Sequence, residues 1–203
     1  MMLKKLFRKK VKINHEEQLA EWERNGRPIP PPHIVKQMAI EEYREKFHTE
    51  ILVETGTYMG DMVEAQRDQF KKIYSIELSE KLFNKAQKRF KDHLHIKIVQ
   101  GDSGTVLNKL IAEIDKPALF WLDGHYSGGI TAKGEKECPV SEELKIILKS
   151  PLSHIILIDD ARLFNGTHDY PTIDQIEEII KTNNRQYLVE TKDDIIRLTP
   201  SPI

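Results

Sequence analysis

The stretch "ILVETGTYMGDMVEAQ", residues 51–66, decides the fold. Three apolar residues run into an acid, Glu54, and two glycines then bracket Thr57, Tyr58 and Met59. Asp61 follows the second glycine at once, and helix-forming residues come next. This is the pattern of a buried strand that turns sharply into a helix. Gly56 permits the turn, and Gly60 opens the helix N-terminus to close approach by a ligand. The spacing E-x-G-x-x-x-G is not the G-x-G-x-x-G of a pyrophosphate turn. An acid at its start suits a ligand that is cationic or rich in hydrogen-bond donors.

Outward from this turn, apolar runs at 73–76, 96–99, 118–122 and 154–158 read as further strands. Helical segments fall at about 61–70, 79–91, 104–114, 141–149 and 172–182. Ser79 is a natural N-cap, and Leu82, Phe83, Ala86 and Phe90 then share one helical face. Strands alternating with helices predict a mostly parallel sheet covered on both faces. "YLVETKDDIIRLT" (187–199) reads as strand, polar turn, strand, an antiparallel hairpin at the sheet edge. Before the alternation, residues 15–24 and 34–47 read as helices joined by the proline-rich "NGRPIPPPH" (25–33), with Ile34, Met38, Ile40 and Tyr43 as apolar positions. The division expected is a basic and helical N-terminal extension, 1–49, and one α/β domain, 50–203.

The chain's 203 residues suffice for a sizeable core, and a formal charge of −1 gives no global sign of a nucleic-acid partner. A single cysteine, Cys138, excludes an internal disulfide and a four-cysteine zinc site, and fits a reducing cytoplasm. Before Pro139, it reads as a packed bystander. No apolar run is long enough to span a bilayer. "MMLKKLFRKKVK" (1–12) carries six basic residues and no acid. It reads as a solvated tail, or as a weak membrane-surface contact through Leu3, Leu6 and Phe7.

Three strand ends gather the chemistry. Glu77 closes "KIYSIELSE" (72–80) about 20 residues beyond the glycines, where an acid reaches the two hydroxyls of a ribose in βαβ units. The third strand ends in "VQGDSG" (99–104), which brings Gly101, Asp102 and Ser103 to the same edge. The fourth and fifth end in "FWLDGHYSGG" (120–129) and "ILIDDAR" (156–162). Asp123, Asp159 and Asp160 then supply oxygen ligands suited to a hard divalent cation. The same residues also read without a metal, with Asp123 as a general base or lid contact and Asp160 as a cap.

From residue 51 to 160 the chain resembles a class I S-adenosylmethionine-dependent methyltransferase. Within that superfamily it is most similar to the metal-assisted O-methyltransferases of the catechol and caffeoyl-CoA type. "VETGTYMG" (53–60) resembles their turn, Glu77 their ribose-binding acid, and "GDSGTVLNKL" (101–110) their adenine loop. The resemblance implies a Rossmann-like, seven-stranded sheet with a C-terminal hairpin. It also implies a cofactor pocket of Glu54, Gly56, Thr57, Tyr58, Gly60, Glu77, Leu78, Gly101, Asp102, Ser103 and Asp123. Asp123, Asp159 and Asp160 match the metal-holding positions, for Mg²⁺ or Mn²⁺. The catechol-type lysine base is replaced by Tyr126, preceded by His125. His125 is the better base by intrinsic pKa, and also reads as an added ligand or an ordinary loop histidine. With Asp123 and Tyr126 it forms the candidate catalytic group.

The glycine-bearing loop from His125 to Pro139 reads as a lid over the acceptor. "LDGHYSGG" with the later Cys-Pro resembles a poorly characterised bacterial methyltransferase-like group. The leading expectation is therefore a cytoplasmic methyltransferase, able to sit at a membrane surface or to form a homodimer. It would act on an oxygen of a small-molecule or sugar-containing acceptor. The alternatives are a metal-dependent hydrolase or other transferase on the same fold, and a non-catalytic nucleoside-binding module.

Overall fold

A computed structural model describes residues 15–124 and 138–201. Seven strands form one sheet: β1 (Ile51–Thr55), β2 (Lys72–Glu77), β3 (Ile96–Gln100), β4 (Leu119–Leu122), β5 (Ile155–Ile158), β6 (Tyr187–Lys192) and β7 (Ile195–Pro200). Their order is β3-β2-β1-β4-β5-β7-β6. The first five are parallel, and β7 is antiparallel to both β5 and β6. The expected Rossmann-like sheet with its terminal hairpin is therefore present. Two residues close that hairpin, Asp193 and Asp194, both at positive φ (52° and 62°), as a tight turn matched to strand twist requires.

The helices are α1 (His15–Arg24), α2 (His33–Phe47), α3 (Asp61–Gln66), α4 (Glu80–Phe90), α5 (Ser103–Leu110), α6 (Val140–Lys149) and α7 (Ile173–Thr182). Strand side chains alternate between two apolar clusters. Val53, Ile76, Phe120, Leu122 and Ile158 face Leu107, Leu144, Ile147 and Ile176 of α5, α6 and α7. Leu52, Ile73, Trp121 and Leu157 face Ala39, Ile40, Val63, Ala86 and Phe90 of α2, α3 and α4. The second helix of the N-terminal extension thus covers the sheet.

Two local expectations are corrected. α2 turns Val35, Ala39, Ile40 and Tyr43 inward, and leaves Met38 exposed. α3 stops at Gln66, because i→i+3 bonds (Arg67 N–H to Glu64 O, Gln69 N–H to Gln66 O) tighten the chain before β2. On α4, Ser79 caps as expected by accepting Leu82 N–H, and Leu82, Ala86 and Phe90 are buried.

The two glycines of the opening stretch are demanded by the chain itself. Gly56 lies at φ +88°, and a Cβ there would stand 2.3 Å from the Asp123 carbonyl oxygen. Gly60 lies at φ +78°, and its Cβ would stand 2.7 Å from the Phe90 ring. The space at Gly60 is filled by α4, so its first role is packing. Gly56→Ala should destabilise the protein by about 3 kcal/mol or more, because rigid backbone opposes it. Gly60→Ala should cost less, since a ring can shift. Urea unfolding of both variants checks the order.

Candidate functional site at the carboxyl edge of the sheet

The strand order reverses between β1 and β4. In open α/β sheets a crevice forms at such a switch point, outside the carboxyl ends of the strands. Here the turn after β1 hydrogen-bonds to β2 (Gly56 N–H to Ile76 O, 3.0 Å), and Asp123 N–H reaches Thr55 O (3.1 Å). The edge is therefore set by backbone rather than by side chains.

Glu77 ends β2 and is 5% exposed. Its carboxylate accepts Tyr58 N–H (2.7 Å) and Ser79 N–H (2.8 Å). Burial pushes its pKa up, and these backbone donors oppose the shift. Tyr58 takes positive φ (49°) and leaves its ring half exposed beside this acid. Gly101 N–H bonds to Glu77 O (2.9 Å), which ties the β3 turn to the β2 end. Asp102 then precedes α5 without capping it through its side chain. The structure thus brings Thr57, Tyr58, Glu77, Leu78, Gly101, Asp102 and Ser103 to neighbouring strand ends.

Glu54 is placed differently from the expectation. It points into the α2–α4 side of the sheet, is 2% exposed, and accepts the Ser75 hydroxyl. Thr57 Oγ1 and Ser75 Oγ form the next link, 2.5 Å apart. Burial pushes the Glu54 carboxyl up to about 8, so it is neutral near pH 7. It supports the turn from below and presents no negative charge to a ligand.

Sequence reasoning missed two residues. Glu143, in the first turn of α6, is fully buried on the opposite side of the sheet. Burial pushes its carboxyl up to about 7. Neither of its oxygens makes a hydrogen bond of good geometry, although the Thr55 and Ser103 hydroxyls lie beside it. A side chain on Gly124 would press on Thr55 and touch Glu143. The residue spacing of α6 put Glu143 on the apolar face, next to Leu144 and Ile147, and that was its only signal.

The second missed residue is Lys36 of α2. Its ammonium pairs with Asp159 and stands 3.6 Å from Asp160. Burial would lower its pKa, but Asp159, Asp123 and Asp160 together raise it, so it is charged. Asp160 also accepts Arg162 Nη1 at 2.7 Å, and Arg162 pairs in turn with Asp194. Two of the three acids expected to hold a metal, Asp159 and Asp160, are thus paired with cations of the chain. Among the described residues no group of three His, Cys, Asp or Glu is arranged to hold a metal ion. Lys36 and Arg162 supply the positive charge at Asp159 and Asp160, and a divalent ion would have to displace an ammonium.

Asp123 stands at the β4 end, half buried, as expected. His125, Tyr126 and the lid's glycines lie outside the described residues, as does the basic segment 1–12. Cys138 is packed, and burial pushes its thiol up to about 12, which fits the bystander reading. No described helix is long and apolar enough to cross a membrane.

No protein-family model and no curated protein matches the chain. Solved structures do. An O-methyltransferase from Bacillus cereus in complex with SAH (S-adenosylhomocysteine) aligns with a TM-score of 0.59 at 15% identity, over 91% of this chain and 90% of that one. The SAH-bound Podospora anserina methyltransferase PaMTH1 gives 0.57 at 15%, over 91% and 88%. The Bradyrhizobium japonicum N-methyltransferase NodS gives 0.54 at 11%, over 91% and 99%. The chain therefore has the fold of class I S-adenosylmethionine-dependent methyltransferases.

The two buried acids generate a pH dependence. The native chain holds a proton on Glu54 that the unfolded chain releases above about pH 4.5. That contribution is full below 4.5 and is lost as pH rises through about 8. Glu54→Gln has no proton to release. Its melting temperature relative to wild type should rise between about pH 5 and about pH 8, and Glu143→Gln should move the same way. Thermal unfolding at both pH values checks this.

Proposed function

We propose that the protein is an S-adenosylmethionine-dependent methyltransferase acting on an oxygen of a small-molecule or sugar-containing acceptor. The observation that carries the reading is Glu77, a carboxylate held at the β2 end by two backbone N–H groups beside Asp102. Carboxylates at these two strand ends suit the hydroxyls of a ribose and the amino group of an adenine. They do not suit a phosphate. The donor set therefore fits this cofactor, with Glu77 toward the ribose, Gly101, Asp102 and Ser103 toward the base, and Thr57 and Tyr58 at the turn. The binding of SAH by the Bacillus cereus and Podospora anserina neighbours supports the same assignment.

When bound, the cofactor supplies an electrophilic methyl carbon on a positively charged sulfur. The chain's own part is to hold the acceptor oxygen in line with that carbon, keep water out and take up the acceptor's proton. Asp123 stands at the β4 end for orientation. His125, two residues on, is the residue expected to receive the proton, because a neutral imidazole is available near physiological pH. An acceptor oxygen is the reading that the sequence resemblance favours; the neighbours include an O-methyltransferase and an N-methyltransferase.

Calorimetry with S-adenosylmethionine and S-adenosylhomocysteine tests the reading, which requires both to bind. Glu77→Gln keeps the size of the side chain but loses its charge, and turns an amide toward backbone donors. A lost charge-assisted hydrogen bond costs about 1.5–3 kcal/mol. The variant should therefore bind roughly tenfold to over a hundredfold more weakly. Equal binding by wild type and Glu77→Gln would remove Glu77 from the pocket.

A further inference from the structure

We propose that Lys36 is the resident cation of the reaction edge, filling the place a divalent ion would take and holding the acceptor's oxygen with its ammonium. The inference rests on the methyltransferase reading for the acceptor, and on geometry alone for the cation.

Three acids end two adjacent strands, and such a cluster must be neutralised when it is buried. Asp159 is 1% exposed and Asp160 is 7% exposed. One oxygen of Asp159 accepts the Asp160 backbone N–H (2.8 Å), and the other accepts Lys36 Nζ. Asp160 is shared between Lys36 and Arg162. Among the described residues the acid pair is thus met by the side-chain cations of Lys36 and Arg162.

Lys36 is placed for this by its helix. Lys36, Ile40 and Tyr43 fall at i, i+4 and i+7, on the face of α2 that packs toward β4 and β5. Ile40 and Tyr43 are buried in the cluster with Trp121 and Leu157, which fixes the register of the helix against the sheet. Lys36 lies one turn nearer the carboxyl edge than Ile40. Its side chain keeps 17% of its surface accessible, so the anchored lysine is not sealed from solvent. A lysine ammonium has three N–H donors and is a compact point charge. It can hold one acceptor oxygen, whereas a metal ion would chelate two adjacent ones.

Amide NMR of the full chain with saturating S-adenosylhomocysteine, titrated with millimolar Mn²⁺, tests the proposal. Paramagnetic broadening reports any ion seated near Asp123, Asp159 and Asp160. In the wild type these signals should stay sharp. In Lys36→Met, which keeps the length of the stem without its charge, they should broaden, and adding Asp159→Asn should abolish the broadening. Wild-type broadening that Asp159→Asn removes would overturn the proposal, since a metal would then displace Lys36. A folded Lys36→Met that shows no broadening would also overturn it, since the edge would not be a cation site. The wild-type arm needs no variant to fold. Failure of S-adenosylhomocysteine to bind is read separately by calorimetry, and overturns the methyltransferase reading while leaving the cation assignment to the Mn²⁺ result.

Discussion

The contact between the Gly56 turn and the Asp123 carbonyl is the constraint on which the rest of the edge depends. Neither partner is a side chain. The chain leaves β1 at φ +88° and passes so close to the end of β4 that a single methyl group would not fit. This closeness follows from strand order: β1 and β4 are neighbours, and their connections leave in opposite directions. Once the two turns touch, the β2 end is drawn in by Gly56 N–H to Ile76 O and by Tyr58 N–H to Glu77. The β3 end follows through Gly101 N–H to Glu77 O. Four strand ends are therefore tied together by backbone hydrogen bonds and by the Glu77 carboxylate that Tyr58 N–H holds. A rigid edge of this kind suits a site that must hold reacting groups in line.

Beneath the edge, one buried acid stands on each side of the sheet. Glu54 lies under the β1 turn and is satisfied by Ser75, which also meets Thr57. Glu143 lies under Gly124 beside Thr55 and Ser103, with both oxygens poorly met. Burial favours the neutral form of each. A protonated carboxyl is both donor and acceptor, so it can link hydroxyls that are themselves ambidextrous. The arrangement lowers the negative charge beneath the edge, while Glu77 and Asp102 stand at the strand ends above it.

The sequence disclosed the fold more fully than the site because fold signals are periodic and local. The apolar runs, the Ser79 cap and the two-residue Asp193–Asp194 turn each depend on neighbours within a few positions. Glu77 and Asp102 were also legible, since a strand end can be located from the run that precedes it. Glu54 was misjudged because strand alternation, not proximity to a glycine turn, decides which side of a sheet an acid faces. It shares a face with Leu52, and that face is covered by helices. Glu143 and Lys36 were missed for a related reason. Each is an ionisable residue on a helix face whose neighbours are remote in sequence, and only the α6 spacing hints at Glu143. The acids at 123, 159 and 160 were correctly gathered at one edge, but the lysine that pairs with Asp159 comes from 123 residues away.

That distance gives the N-terminal helix a part in the site as well as in the core. α2 lies across the sheet through Ala39, Ile40 and Tyr43, and the same packing delivers Lys36 to Asp159. A buried ion pair is weak evidence of stability, because desolvation offsets much of its attraction. A buried pair exchanged for apolar residues is often near neutral for stability, although here the exchange would also take an acceptor from the Asp160 N–H and a cation from Asp160. The pair is therefore poorly explained as a stabilising device. Its position supplies the better account: it lies near Asp123 at the carboxyl edge, on a lysine side chain that is 17% exposed. A helix that were only a cover would need its apolar face alone. This one also projects its charge to the edge where the acceptor's oxygen would be held, and so joins the helical extension to the chemistry of the sheet.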